Sequence, residues 1–101
     1  MEFAELKKKI ETDIKLSEKP DFVKDTGDLI NLGYIELNPT QKLVFSLSHF
    51  RGKKYIDIRT WFQDQSGAWK PTKKGIHLST DKFSEFESLS KIFSKVIELD
   101  S

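Results

Sequence analysis

At 101 residues the chain is a single domain by length, and 17 basic against 16 acidic residues leave a net charge of +1, which excludes a general polycationic nucleic-acid binder. The absence of cysteine excludes disulfides, zinc-thiolate sites and a thiol nucleophile. No N-terminal apolar run suits a signal peptide and no segment reaches membrane-spanning length, so the expectation is a soluble intracellular protein without a membrane partner.

Residues 2–16 place Phe3, Leu6, Ile10 and Ile14 at spacings of three and four, with Lys and Glu between them, which predicts an amphipathic helix. Its polar face mixes both signs, so the apolar stripe is expected to meet the domain or a second chain rather than a membrane. Residues 17–33 carry Pro20, Asp21, Asp25, Gly27, Asp28 and Gly33, a loop composition in which Phe22, Val23, Leu29 and Ile30 serve as anchors. The predicted division is an N-terminal helical extension over 1–32 and the main module over 33–101.

From residue 33 the apolar period changes to two. Residues 34–37 read as a short strand, 38–41 as a turn, and 43–49 as a strand with Leu43, Phe45 and Leu47 on a core face and Val44, Ser46 and Ser48 on a small polar one. The same alternation puts Phe50 on the polar face, where an aromatic ring has no core to fill. Residues 55–62 form the longest predicted strand, with Ile56 and Ile58 on one face and Tyr55, Asp57, Arg59 and Trp61 on the other. Asp64, Gln65, Ser66 and Gly67 make a hairpin turn, and Trp69 and Lys70 begin a return strand that Pro71 stops or confines to an edge. After Lys73 and Lys74, Gly75 reads either as a close backbone approach to a phosphate or as a bulge; Ile76 and Leu78 follow, with His77 pointing away.

Ser79 is the expected N-cap of a helix running to about residue 99, with Asp81 at its positive dipole end. Phe83, Phe86, Leu89, Ile92, Phe93, Val96 and Ile97 make a stripe wider than one face. That width predicts burial against a second subunit as well as the helix's own sheet.

Charge is concentrated along the chain. Residues 1–41 hold six basic and nine acidic residues, 42–75 eight and two, and 76–101 three and five. Within residues 50–78, Arg51, Lys53, Lys54, Arg59, Lys70, Lys73 and Lys74 alternate with Phe50, Tyr55, Trp61, Phe62 and Trp69. Cations follow phosphates while rings replace base stacking, so this pattern points to unpaired nucleic acid. Only Gln63 and Gln65 stand near as amides able to read base edges, so slight sequence preference is expected.

Catalysis finds little support. His49 and His77 lie in different strands, no metal-ligand or phosphate-loop spacing is present, and Asp57 among Lys54 and Arg59 reads as a structural ion pair. The expectation is a non-enzyme without metal or cofactor.

Residues 43–78, with F-R-G-K, I-D-I-R, W-F-Q-D-x-x-G and K-P-x-K-K-G-I-x-L in order, resemble the positive cofactor four family of transcriptional coactivators, which bind single-stranded DNA. The resemblance extends through the C-terminal helix, over about 60 residues. It implies an α+β fold: a curved four-stranded antiparallel sheet followed by a C-terminal helix, dimerised through the helices, with each open sheet face forming part of a channel for unpaired strands. Here the N-terminal helical extension is added to that plan. The family's contact positions correspond to Phe50, Arg51, Lys53, Arg59, Phe62, and Lys74 with Gly75; Lys54, Trp61, Lys70 and Lys73 join them from the charge and ring pattern. The family's strand-end pair is typically tyrosine then tryptophan, whereas this chain has Trp61 then Phe62. Alternation points to Trp61 as the stacking ring, family position to Phe62, and a strand-end bulge would reconcile them.

The resulting expectation is a homodimeric single-stranded-DNA-binding protein of transcriptional coactivator type, with transcription machinery as an implied further partner. It would reside in the nucleus if eukaryotic, otherwise in cytoplasm or nucleoid. The alternatives are RNA as the bound strand, or an interaction module for acidic activation segments.

Overall fold

The computed structural model describes residues 2–14 and 24–101, to which every structural statement below applies. The elements are α1 (Phe3–Asp13), β1 (Leu29–Asn38), β2 (Gln41–Phe50), β3 (Lys53–Gln63), β4 (Trp69–Ser79), a 3₁₀ turn (Thr80–Lys82) and α2 (Phe83–Asp100). The strands form one antiparallel sheet in sequence order β1-β2-β3-β4, so β1 and β4 are its edges.

Local chemistry accounts for the three hairpins. Asn38 Oδ1 accepts the Thr40 N–H at 3.0 Å in the first. In the second, Arg51 and Gly52 both have positive φ (50° and 77°), the mirror-image turn whose twist suits paired strands. In the third, Asp64 Oδ1 accepts the N–H groups of Ser66 (2.9 Å) and Ala68 (3.1 Å), and Oδ2 lies 2.8 Å from Lys70 Nζ.

Hydrogen bonds from Lys70 and then Ser66 hold the Asp64 carboxyl well below the usual carboxylate range. A lowered folded pKa contributes stability that is present above the unfolded value near 4 and lost as pH falls below it. Asp64→Asn is therefore expected to lower the melting temperature at pH 7 and to flatten its decline between about pH 5 and pH 3. Thermal melts across that range check this, and an unchanged acid slope in the variant would remove Asp64 as the cause.

Register divides the sheet into two faces, because directly opposed residues point the same way. On one face the rows across the strands are Leu29, Ser48, Tyr55, Ser79; Asn31, Ser46, Asp57, His77; Tyr34, Val44, Arg59, Gly75; and Glu36, Lys42, Trp61, Pro71. On the other they are Ile30, Leu47, Ile56, Leu78 and Gly33, Phe45, Ile58, Ile76, with Ile35 beside Leu43. The second face is apolar, and α1 covers one end of it.

Phe3 and Ile10 of α1 are buried with Ile30, and Leu6, Leu32 and Leu47 pack around them. The Phe3 ring stacks on His49 with centroids 5.4 Å apart. Eleven residues of isolated helix are marginal in water. Docking supplies about 1.5–3 kcal/mol per fully buried large apolar side chain, enough to hold α1 in place. Lys7 adds an ion pair to Asp25 at 3.6 Å, and Asp25 Oδ1 accepts from the backbone N–H (2.9 Å) and Nδ2 (3.2 Å) of Asn31. Ser46 Oγ donates to Asn31 Oδ1 at 2.8 Å, so this fully buried amide is satisfied on both ends.

Several expectations change. The first strand begins at Leu29 instead of 34 and runs through Gly33, because a register shift between Asn31 and Gly33 absorbs the irregularity that reads as loop. The N-terminal stripe ends at Ile10: Ile14 lies past the last turn and is exposed. The helix ends at Asp13, with Ile14 extended, short of the expected residue 16; the other expectations for residues 15–23, including the anchors Phe22 and Val23, lie outside the described residues. Pro71 does not stop the return strand, which is eleven residues long and an edge, where a missing N–H is tolerated. The Ser79 hydroxyl caps no helix; it hydrogen-bonds the Asp81 side chain and lowers that carboxyl's pKa.

The largest change concerns the two helices and the core. Val44 and Ser46, assigned to the small polar face, are the most buried residues of β2, at 1% and 5% exposure, because the larger Tyr34, Arg59, Asn31 and Asp57 flank them in register. Conversely α2 buries none of its residues and does not pack along its own sheet. Leu89, Phe93, Ile97 and Leu99 are each about two-thirds exposed or more, and Ile35 and Ile76 stand exposed on the apolar sheet face.

Candidate nucleic-acid interface

The face opposite α1 carries the rings and cations. At one end Phe50, 59% exposed, lies opposite Lys53 in register, and the Arg51 guanidinium sits over its ring at 5.1 Å from the centroid. Next along the face the Tyr55 and His77 rings stack at 4.4 Å. Then Arg59 Nη2 donates to Asp57 Oδ1 at 3.1 Å, and His77 Nδ1 lies 3.7 Å from the same oxygen. At the far end Lys42 Nζ is held between two rings, 4.6 Å from the Trp69 centroid and 5.0 Å from that of Tyr34. Between these ends lies an open cleft of about 480 Å³ whose lining includes Phe50, Asp57, Arg59, Trp61 and His77.

Not all the residues singled out in the sequence come together. Phe50, Arg51, Lys53, Arg59 and Trp61 share this face or its hairpin end. Lys73 and Lys74 are exposed within the β4 bulge, where five residues from Pro71 to Gly75 oppose the three from Arg59 to Trp61. Lys54 pairs with His49 and Phe62 with Gln41, which puts both on the apolar side of the sheet, away from Arg59. Register places Trp61 on the face of Arg59 and Phe62 on the opposite one: β3 keeps regular register with β2 through Phe62, and the bulge falls on β4. Lys70 lies opposite Phe62 and is held by Asp64 in the turn.

Gly75 has a steric reason to be glycine. A Cβ there would collide with the Ile58 carbonyl oxygen and stand 2.9 Å from Arg59 Cα. The glycine lets β4 close onto β3 beside Arg59, so its place in the site is through the strand that presents that guanidinium.

Sequence reasoning missed Lys42, Tyr34 and His77 as parts of this surface. Parity alone carries part of that signal, since Lys42 lies eight residues before Phe50 in one strand and so on its face. The ring contacts of Lys42 required the neighbouring strands.

A single antiparallel four-stranded sheet with one apolar face covered at one end by α1, one open face of cations and rings, and a projecting C-terminal helix defines the class of protein. A model of the family Transcriptional Coactivator p15 (PC4) matches residues 37–89, just over half of the chain, and the chain belongs to that family. A crystal structure of a PC4 homologue from Burkholderia pseudomallei shares its fold, with 21% identity and a TM-score of 0.60 over 70% of this chain and 96% of that one. The bacteriophage T5 homologue of the eukaryotic transcription coactivator PC4, implicated in recombination-dependent DNA replication, is 26% identical over 68% of this chain and 96% of its own, with a TM-score of 0.40. No helix among the described residues is long and apolar enough to cross a membrane.

Proposed function

We propose that the protein binds single-stranded DNA on the β-face bearing Phe50, Arg59 and Trp61, as a homodimer joined through α2, in a coactivator-type role on unpaired strands. The observation that carries this reading is Phe50: a large ring left 59% exposed at a hairpin end, with Arg51 and Lys53 beside it. Such a ring stacks only on bases that are not already stacked, and the cations beside it meet the phosphates on either side of that base. Family membership supports the same reading. The dimer is supported by the apolar stripe of α2, which is left exposed among the described residues.

Competition at moderate salt between an unstructured oligonucleotide and its own duplex tests the proposal. The single strand is expected to win, while the duplex binds through phosphates alone and is released by salt. Exposed Arg51, Lys53, Lys73 and Lys74 make about four phosphate contacts per subunit, so log affinity for the strand should fall with log salt at a slope of about −3 (about −0.7 per contact). Equal competition, or a win for the duplex, would leave only a generic basic patch. The same measurement with an RNA strand determines the sugar preference.

A further inference from the structure

The open face holds a feature that phosphate binding and stacking do not use. At the floor of the cleft the Asp57 carboxylate is only 14% exposed, in the row that runs from Asn31 through Ser46 to His77. Its Oδ1 accepts from Arg59 and faces His77. The Ser48 hydroxyl lines the same cleft and is buried without a hydrogen-bond partner. A carboxylate on a surface that would receive a polyanion is electrostatically unfavourable. That cost falls if a ligand brings hydrogen-bond donors to the carboxylate.

We propose that this cleft is a guanine-reading subsite within the unpaired strand, with Asp57 as the residue that sets base preference; the proposal rests on the single-strand reading above. An ionised carboxylate only accepts hydrogen bonds. Among the four bases, guanine alone presents two adjacent donors, N1–H and the 2-amino group, on the edge left open in a single strand. Adenine and cytosine place an acceptor ring nitrogen beside their amino group, so one carboxylate oxygen would face a lone pair. Thymine offers one donor between two carbonyls. The guanine O6 then falls on the side of Arg59, whose guanidinium keeps donors beyond the one given to Asp57. The cleft volume is within the range of about 300–1,000 Å³ that admits small-molecule ligands, with Phe50 and Trp61 among its walls to take the ring faces.

The test uses the full chain and a fluorescent oligo(dT) carrying at its centre one dG, one dI, one dA or no substitution, a design that prevents guanine quadruplexes. The dG strand is expected to bind about ten-fold or more tightly than the dA strand. Inosine lacks the 2-amino donor and should fall between them. In Asp57→Asn the ratio of dG to dI affinity should approach one. Equal wild-type affinity for dG, dI and dA overturns the guanine subsite while the single-strand reading stands. Failure to bind any of the unpaired strands overturns that reading instead. The wild-type series decides even if Asp57→Asn does not fold.

Discussion

Phe93→Glu is expected to yield a folded monomer at micromolar concentrations where the wild-type chain, on the proposed reading, scatters light as a dimer. Phe93 is 70% exposed and its neighbours on α2, Leu89, Val96 and Ile97, are each at least half exposed, so the substitution disturbs little packing among the described residues. Contact between α2 and the rest of its own chain is concentrated at the 3₁₀ turn, and the sheet core of Ile30, Val44 and Ile58 lies elsewhere. In a dimer the same position falls in a seam, where stranding a carboxylate costs several kcal/mol, so association should weaken by about a hundredfold or more. Val96→Glu should act alike. DNA binding should fall with it, because two linked faces on one strand raise apparent affinity by about 10²–10⁴. A wild-type chain that is monomeric at micromolar concentration would remove the basis for this prediction.

Phe50→Ala is expected to lower single-strand affinity about ten-fold or more and to leave stability within about 0.5 kcal/mol of wild type. A base stacked on an aromatic ring is worth about 1–3 kcal/mol, and the exposed Phe50 ring contributes little to the fold it would leave. Duplex affinity should hardly change, since stacked bases do not use the ring. Fluorescence anisotropy on single and double strands, with a thermal melt alongside, makes the measurement. A large drop in melting temperature with unchanged strand affinity would assign Phe50 to the core and sink this role.

The two results are separable. On the proposed dimer Phe93→Glu would act on the cooperation of two subunits and should spare short oligonucleotides that reach one face only. Phe50→Ala acts on each face and should weaken short and long strands alike.

Strand parity was readable without coordinates because side chains alternate strictly along a strand. Ile56 and Ile58 against Tyr55, Asp57, Arg59 and Trp61 is a pattern of period two, and the register of β3 with β2 reproduces it. The turns were readable for a similar reason: Asn38 and Asp64 make their hydrogen bonds to backbone two to four residues away. The apolar excess of α2 was visible as composition.

What escaped the sequence depends on contacts between residues far apart in the chain. Val44 looks exposed beside Ser46 and Ser48, yet its burial is set by Tyr34 on one neighbouring strand and Arg59 on the other. Lys54 and Phe62 belong to the basic aromatic segment by position and to the apolar side by register. Asp57 reads as a structural ion pair, and Arg59 does pair with it; the sheet adds that this pair lies at the floor of a cleft with His77 and an unpartnered Ser48 hydroxyl. By itself the sequence determined the strand faces, the hairpins and the family, because alternation, turn chemistry and ordered motifs are local. Tertiary structure decided which rings and charges share one surface and that α2 stands clear of its own sheet, because cross-strand register and packing join residues that no local spacing relates.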